Sequence, residues 1–479
     1  MSNVLVLGVG PLPVDPTERL HAPGIRVWHL AQALHQQRHS VVLGIIEFGD
    51  FQDNPDAPSR PRQESLGDRI SVCRFRYHSQ RTPEALATLH SRSRFNCVVS
   101  TTDIMNDVAA RMPARLPLWL DYLGDPFSER QLQAATFGSD ASLLDLWRFM
   151  SEALMHGDRF SVASTPQQYT LIGQLGLAGR LNQFTAGLEL VHVIPNSSRL
   201  MAEKPAQVKR PLKGSMIPLE SFLLLWSGGY NTWTDPDTLF RGLETAMRED
   251  PAVYFVSVGG EIPGHDNVTF KRFRDMCEAS PLSSHFLFIG WVSPDEMPNY
   301  YAQADAAINI DLPCYEAEIG TRTRIVDWVQ SGIPVITTPL CEPARLLAQR
   351  ELVEPFEPGS PQGLAQAVLS VKRNLDRAQE RARAAREFLA ELFCEEKTFA
   401  PLLEWVVAPQ FAPDRTVPDP RWAGPASGPL LSDSLVTRRN IELLGKFGAG
   451  RPRFSLGGHK LPLWRRLVHP FSRRQRRRP

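Results

Sequence analysis

The sequence predicts an α/β protein made of two Rossmann-like, doubly wound domains facing each other across a cleft, followed by a basic C-terminal tail. Three observations carry this expectation. Strand-like apolar runs alternate with stretches of helical periodicity along most of the chain, the pattern of parallel sheets with crossover helices. The alternation begins twice, at 3–8 and at 222–226, and each opening run is closed by glycine soon after. A polar segment carrying Lys204, Pro205, Lys209, Pro211 and Lys213 separates the two series. At 479 residues the chain also exceeds what one hydrophobic core usually supports.

The first run, Asn3-Val4-Leu5-Val6-Leu7-Gly8, reads as a buried parallel strand ending in a tight loop. Residues 25–37 place Val27, Leu30, Ala31 and Leu34 at helical spacing, and 39–46 read as a second strand. Strand, helix and strand together form a βαβ unit, which favours a doubly wound sheet. Further strands are expected at 95–100, 116–120 and 159–164, with Pro166 opening a helix. The second series has strands at 222–226, 252–258, 285–289, 306–310 and 334–337, and a long Arg/Glu/Ala-rich helix at 362–393. The expected organisation is a first domain over 1–200, a linker over 201–220, a second domain over 221–400 and a Pro/Gly/Arg-rich extension over 401–479. Beyond about residue 409 the extension shows no clear period and reads as loop or partly disordered.

Composition excludes several classes. With 42% hydrophobic and 22% charged residues the chain is neither fibrous nor disordered as a whole. No apolar run approaches the roughly 18 residues of a membrane-spanning helix. The N-terminus enters a strand at once, without the basic region and cleavage site of a signal peptide. Six scattered cysteines without a CxxC pair argue against a disulfide framework or a zinc site and suit the cytoplasm. The net charge of +1 hides an asymmetry: from Arg438 onward there are 13 lysines and arginines against one acid, Glu442. Such a tail suits an anionic surface.

Two glycine loops follow opening strands. Gly8-Val9-Gly10-Pro11-Leu12-Pro13 fails the GxGxxG dinucleotide pattern at its last position, and no acid stands at the ribose offset, so NAD or FAD binding is set aside. Gly8 and Gly10 could bring backbone close to a ligand edge or simply form a tight turn. Ser227-Gly228-Gly229-Tyr230-Asn231 can cradle a phosphate through its amides. Asp235-Pro236-Asp237 spells D-x-D, which elsewhere holds a metal, but at a helix start capping is the stronger reading.

The densest polar cluster runs from Tyr315 through Glu316, Glu318, Gly320, Thr321, Arg322 and Arg324 to Asp327, ahead of Ser331-Gly332-Ile333-Pro334-Val335. Gly320 and Thr321 can open a helix whose N-terminus favours anions, Arg322 and Arg324 can grip phosphate oxygens, and Asp327 could accept hydrogen bonds from a ribose diol. A surface cluster of Glu–Arg salt bridges is the competing interpretation. On the acceptor side, Asp121 and Asp125 end a predicted strand, with turn capping as the alternative for Asp125. Arg26, His29 and Arg19 near the first helix are weaker candidates.

The second half resembles family 4 glycosyltransferases of the GT-B fold. The resemblance runs from Trp226 to about Pro339 and rests on the order of its features: strand plus Gly-Gly loop, Phe288-Ile289-Gly290-Trp291-Val292, Glu296-Met297-Pro298-Asn299-Tyr300-Tyr301, Ala304-Asp305-Ala306 and the acid-rich helix start. It is nearest to bacterial members with R-T-R before an Asp at that helix start, often encoded with surface-polysaccharide genes. The first half is similar to the acceptor domain more loosely. The resemblance implies a retaining, metal-independent, hexosyltransferase-like enzyme without a cofactor, taking a nucleotide-diphosphate sugar and a glycan or polyprenyl-linked acceptor. It implies that Glu318, Arg322 and Arg324 are catalytic. Donor contacts would come from Gly228, Gly229, Asn231, Gly290, Trp291, Val292, Glu316, Gly320, Thr321 and Asp327, and acceptor contacts from Gly10, Arg26, His29, Asp121 and Asp125. Trp291 would line the base pocket or else fill core. Two features depart from the family pattern. The two glutamates of the family stand eight positions apart, yet Ile319 precedes Asp327 by eight and Glu318 is one residue out of register. The Arg and Lys that normally follow the Gly loop are absent from 227–234.

The tail interleaves Leu461, Leu463, Trp464, Leu467 and Phe471 with arginines, a composition suited to an anionic lipid interface; nucleic acid is the weaker partner, and a solvated end the plain alternative. A nucleotide-sugar epimerase of GT-B architecture and a non-catalytic nucleotide-sugar or glycan-binding protein are the competing functions.

Overall fold

The structure, a computed structural model, describes residues 1–15, 19–47, 53–54, 63–196 and 209–416. Two sheets are present. The first contains β1 (Asn3–Val9), β2 (Ser40–Ile46), β3 (Gln63–Gly67), β4 (Ile70–Phe75), β5 (Cys97–Thr101), β6 (Leu118–Tyr122), β7 (Arg159–Val162) and β8 (Val191–Val193), in the order β3-β4-β2-β1-β5-β6-β7-β8. All its pairings are parallel except β3 with β4. The second contains β9 (Phe222–Ser227), β10 (Val253–Val258), β11 (Phe286–Gly290), β12 (Ala306–Asn309), β13 (Val335–Thr337) and β14 (Glu354–Pro355), in the order β11-β10-β9-β12-β13-β14 and wholly parallel.

Each sheet is buried on both faces, so its central strands are apolar through most of their length. In β1, Leu5, Leu7 and Val9 enter one core while Val4 and Val6 enter the other. In β9, Phe222, Leu224 and Trp226 face one core and Leu223 and Leu225 the other. This two-residue alternation is the strand period acting on a sheet sandwiched between helix layers.

The boundaries differ from the sequence expectation in three places. The strands over 63–75 were not anticipated, because Gln63, Glu64 and Ser65 are polar and exposed at the sheet edge. The expected helix over 362–393 is two helices, Pro361–Arg373 and Leu375–Leu392, separated by Asn374. The start of the presumed extension is a helix, Ala400–Val407, whose Leu402, Trp405 and Val406 join Val4, Val27, Trp119 and Ile194 in the core of the first domain. The Ser2 hydroxyl donates to the Val406 carbonyl at 2.6 Å. Of the expected linker, 201–208 lies outside the described residues; Leu212 and Ile217 are buried in the second domain and Lys213 pairs with Asp305 at 2.6 Å. The tail from 417, with the lipid or nucleic-acid contacts expected of it, lies outside the described residues. Among the described residues no helix is long and apolar enough to cross a membrane.

Candidate active site between the domains

The C-terminal ends of strands in both sheets converge on a cavity of about 410 Å³. Open parallel sheets bind ligands at this edge, where loops and helix N-termini meet.

The second domain supplies one wall. Beyond β9 the chain turns at Gly228 (φ +89°), and a Cβ at Gly259 (φ +127°) would stand 2.2 Å from the Gly228 carbonyl oxygen. Glycine at both positions therefore lets two strand-end loops touch. The Gly228 N–H is taken by Val258 O at 2.8 Å. Beneath the loop, Trp226 stacks on Tyr230 with ring centroids 4.4 Å apart. The Arg324 guanidinium lies 4.2 Å above the Trp226 ring and donates from Nη2 to the Gly229 carbonyl. Its Nη1 is buried and, among the described residues, has no hydrogen-bond partner. Burial lowers the Arg324 pKa to about 10, still above neutral pH, so the group stays charged.

Asp327, one turn further along the helix Thr323–Gln330, also lines the cavity. Burial pushes its carboxyl up to about 7 against the pull of Arg324. Among the described residues no donor bonds to this carboxylate. Trp291 closes the far end, its Nε1 donating to the Glu261 carbonyl at 3.1 Å and its ring meeting His21 edge-on at 5.3 Å. Gly228, Gly229, Asn231, Trp291, Val292, Glu316, Thr321, Arg322, Arg324 and Asp327 thus share one wall, as the sequence reading grouped them.

Four of the predicted site residues stand differently: Arg322, Glu318, Gly320 and Gly290. Arg322 was expected to grip phosphate, but its donors are occupied: Nε by Asp311 Oδ1 at 3.0 Å, Nη1 by Glu316 Oε1 at 3.0 Å and Nη2 by Glu316 Oε2 at 2.7 Å. Burial works against its charge, and the two carboxylates outweigh that effect and hold it protonated. Burial likewise pushes Glu316 up to about 7. Glu318, expected to be catalytic, is exposed and does not line the cavity. The cause is helical geometry: within the helix Tyr315–Ile319, residues two apart point to nearly opposite sides, so with Glu316 inward Glu318 faces out. Gly320 and Gly290 also stand back from the cavity. A Cβ at Gly320 would fall 2.5 Å from the Glu316 carbonyl oxygen, and the Gly290 carbonyl receives the Gly259 N–H at 2.7 Å.

None of the expected acceptor residues lines the cavity. Arg26 and Asp121 are buried against each other, with Nε–Oδ2 at 2.9 Å and Nη2–Oδ1 at 2.7 Å, and the Ser161 hydroxyl donates to the same carboxylate at 2.6 Å. Asp125 caps the helix Pro126–Phe137 by accepting the Ser128 N–H at 2.9 Å. The Gly10 N–H bonds Ile46 O at 2.8 Å, and His29 is buried within the helix Ala22–Gln36. Asp235 is a cap as well, accepting the Thr238 N–H at 3.0 Å, and Asp237 pairs with Arg272 at 2.6 Å, so the D-x-D run is engaged structurally.

The first domain instead presents His21, Asp103, Glu129, Arg130 and Asn196 to the cavity. Burial holds His21 neutral, down to about 4, helped by His265 and Arg19, while burial pushes Glu129 up to about 7. The Asn196 amide donates to the Thr323 hydroxyl of the second domain at 3.0 Å. Asp311, just past β12, could have been found from the rule that strand ends carry the site. His21, Glu129 and Asn196 carried no local signal, because only the meeting of the domains makes them neighbours.

Residues 221–374 match the model of the family described as glycosyl transferases group 1. No curated protein sequence matches. Among solved structures, the sucrose-phosphate synthase of Thermosynechococcus elongatus is similar at TM-score 0.64 and 15% identity, covering 86% of this chain and all of that one. An α,α-trehalose-phosphate synthase (UDP-forming) from Burkholderia vietnamiensis is similar at TM-score 0.61 and 10% identity, covering 85% of this chain and 100% of that one. Anabaena HepE in complex with UDP and glucose gives TM-score 0.56 and 16% identity, covering 84% of this chain and 100% of that one. The fold is therefore the GT-B arrangement of two parallel-sheet, Rossmann-like domains, and its second domain carries the glycosyl transferases group 1 match.

Proposed function

We propose that this chain is a glycosyltransferase that moves a hexose from a nucleoside diphosphate onto a glycan or a polyprenyl-linked acceptor, in the synthesis of a cell-surface polysaccharide. One observation carries the reading: a charged guanidinium, Arg324, with Nη1 unpartnered, held over Trp226 beside a glycine loop and facing an interdomain cavity. A diphosphate supplies the missing acceptor. The Thr323 and Arg324 amides at the start of the helix Thr323–Gln330 have no intrahelical partner and add to the attraction. Asp327 then accepts the ribose hydroxyls, and Trp291 borders the base. HepE, matched at 16% identity, is described in complex with UDP and glucose, which favours a uridine nucleotide here.

In this reading the bond between the sugar C1 and the phosphate oxygen breaks, and charge grows on the leaving diphosphate. Arg324 and the N-terminus of the helix Thr323–Gln330 stabilise that charge. The acceptor oxygen bonds to C1 on the same face and gives its proton to the departing phosphate, so configuration is retained. Retention, independence of metal and absence of a cofactor follow from the family resemblance. Thermal-shift measurements with UDP, GDP, ADP and their sugars test the donor: a ligand bound only by the native state raises Tm by mass action. No shift with any of them would remove the proposal.

A further inference from the structure

The two walls of the cavity differ in charge. The second domain offers Arg324, whose Nη1 has no partner among the described residues. The first domain offers two carboxylates, Asp103 and Glu129, and, among the described residues, one cation, Arg130. That cation is already engaged: Nη1 donates to Gln133 Oε1 at 2.7 Å, and Nη2 stands 3.9 Å from Asp103 Oδ2. The imidazoles of His21 and, from the second domain, His265 also line this space, and burial holds each neutral, down to about 4.

The two carboxylates are firmly placed yet open. Both belong to first turns of helices that follow strand ends, Asp103 in Asp103–Ala110 and Glu129 in Pro126–Phe137. Thr102, just before Asp103, is held at φ +73°, a costly conformation for a β-branched residue and one that clusters at ligand sites. Glu129 Oε1 accepts from Gln133 Nε2 at 3.3 Å, and His265 Nδ1 lies 3.7 Å from the same oxygen. Among the described residues no hydrogen bond reaches Glu129 Oε2 or either oxygen of Asp103. The side chains keep 29% and 19% of their surface exposed, and both line the cavity.

Carboxylates accept hydrogen bonds from hydroxyls, and such bonds are stronger than those between neutral groups. A phosphate brings them like charge instead, in a site where screening is weak. The Arg324 wall suits a diphosphate, and the opposite wall suits the hydroxyls of a sugar.

We infer that Asp103 and Glu129 are specificity-determining residues that select, as acceptor, a sugar with free hydroxyls and no phosphate on the reacting ring. The inference rests on the sugar-transfer reading and adds to it the chemical class of the acceptor. With the donor on the Arg324 wall, the acceptor is left the opposite one. A phosphate that links the acceptor to a lipid then stays outside the cavity.

The test is saturation-transfer NMR of the full-length chain, loaded with whichever of UDP, GDP and ADP gives the largest thermal shift. The probes are methyl glycosides of glucose, galactose, mannose and N-acetylglucosamine, set against the 6-phosphates of glucose, galactose and mannose. The neutral sugars should bind about tenfold or more tightly than the phosphates. Asp103→Asn and Glu129→Gln should each weaken the neutral sugars and lose most of that preference, a change that a purely structural role would not produce. Retained nucleotide-induced stabilisation shows that each variant is folded. Equal or tighter binding of the 6-phosphates overturns the inference. So does binding of none of the sugars by a chain that the nucleotide stabilises, or a preference that both variants leave intact. A chain that no nucleotide stabilises removes the sugar-transfer reading itself, and the inference with it.

Discussion

Arg324 and Trp226 form a stacked cation–π pair, the guanidinium 4.2 Å from the ring centroid, and the pair holds one unsatisfied N–H donor against the glycine loop. The indole fixes the plane of the cation from a position where it cannot compete with an incoming anion for hydrogen bonds. Arg324→Ala should therefore weaken nucleotide binding by about 10²–10³-fold. Arg324→Lys should recover only part of that, because an ammonium lacks the planar fork. Titration calorimetry with the nucleotide that gives the largest thermal shift measures both.

Arg322 should behave in the opposite way. Its removal strands the carboxylates of Asp311 and Glu316 in a buried site. Arg322→Met is expected to cost about 3–5 kcal/mol of stability, read as a lowered midpoint in urea. Arg324→Ala should leave that midpoint nearly unchanged.

Asp327 links pH to both stability and binding. Its folded pKa, about 7, lies above the ordinary carboxylate value of 3.8. The neutral form is thus favoured by the fold: its stabilisation is complete below the unfolded value and is lost as pH rises to about 7. Asp327→Asn, which stays neutral, should stabilise the ligand-free protein at pH 8 by an amount on the order of 2–4 kcal/mol, read as a raised Tm. The gain should shrink toward pH 4, and nucleotide binding should be lost at every pH. Calorimetric scans across that range check the sign.

Glu316 and Glu318 separate by face. Glu318→Ala should change sugar transfer by less than about twofold, as expected of an exposed residue away from such features. Glu316→Gln should lower both turnover and Tm, because it removes one end of the bidentate pair with Arg322.

Asp125 is a cap, not an acceptor ligand. Asp125→Ala should cost about 1 kcal/mol in chemical denaturation and leave the KM for the acceptor unchanged.

The parts of the fold legible in sequence were those set by burial on both sheet faces. Asn3–Val9 and Phe222–Ser227 are apolar through most of their length and stop at glycine, so strand and loop were both visible. The edge strand Gln63–Gly67 was not, because an exposed strand has no need of apolar residues; its neighbour Ile70–Phe75 is largely buried, but Ser71 and Arg74 interrupt its apolar run. In the site, residue type located the cluster from Glu316 to Asp327, but not the partition of its arginines. That partition depends on Asp311 standing beside Arg322, a contact made across a strand end and invisible to local spacing. Likewise Asp121 looked like a ligand because it ends a predicted strand, and Arg26 because it stands near the first helix. They are 95 positions apart and satisfy each other instead.

The helix Ala400–Val407 follows the second domain in sequence yet packs into the first. The second domain is therefore an insertion, moored at both ends to a body that is finished only by the chain's return. Any opening of the crevice must swing about two covalent crossings rather than one, which confines the lobes to a hinge and limits how far they drift apart between turnovers. Trimming the chain back past this helix to remove the basic end would also strip the cover from Trp119 and Ile194, so the return segment sets the shortest form of the protein in which the first lobe stays closed.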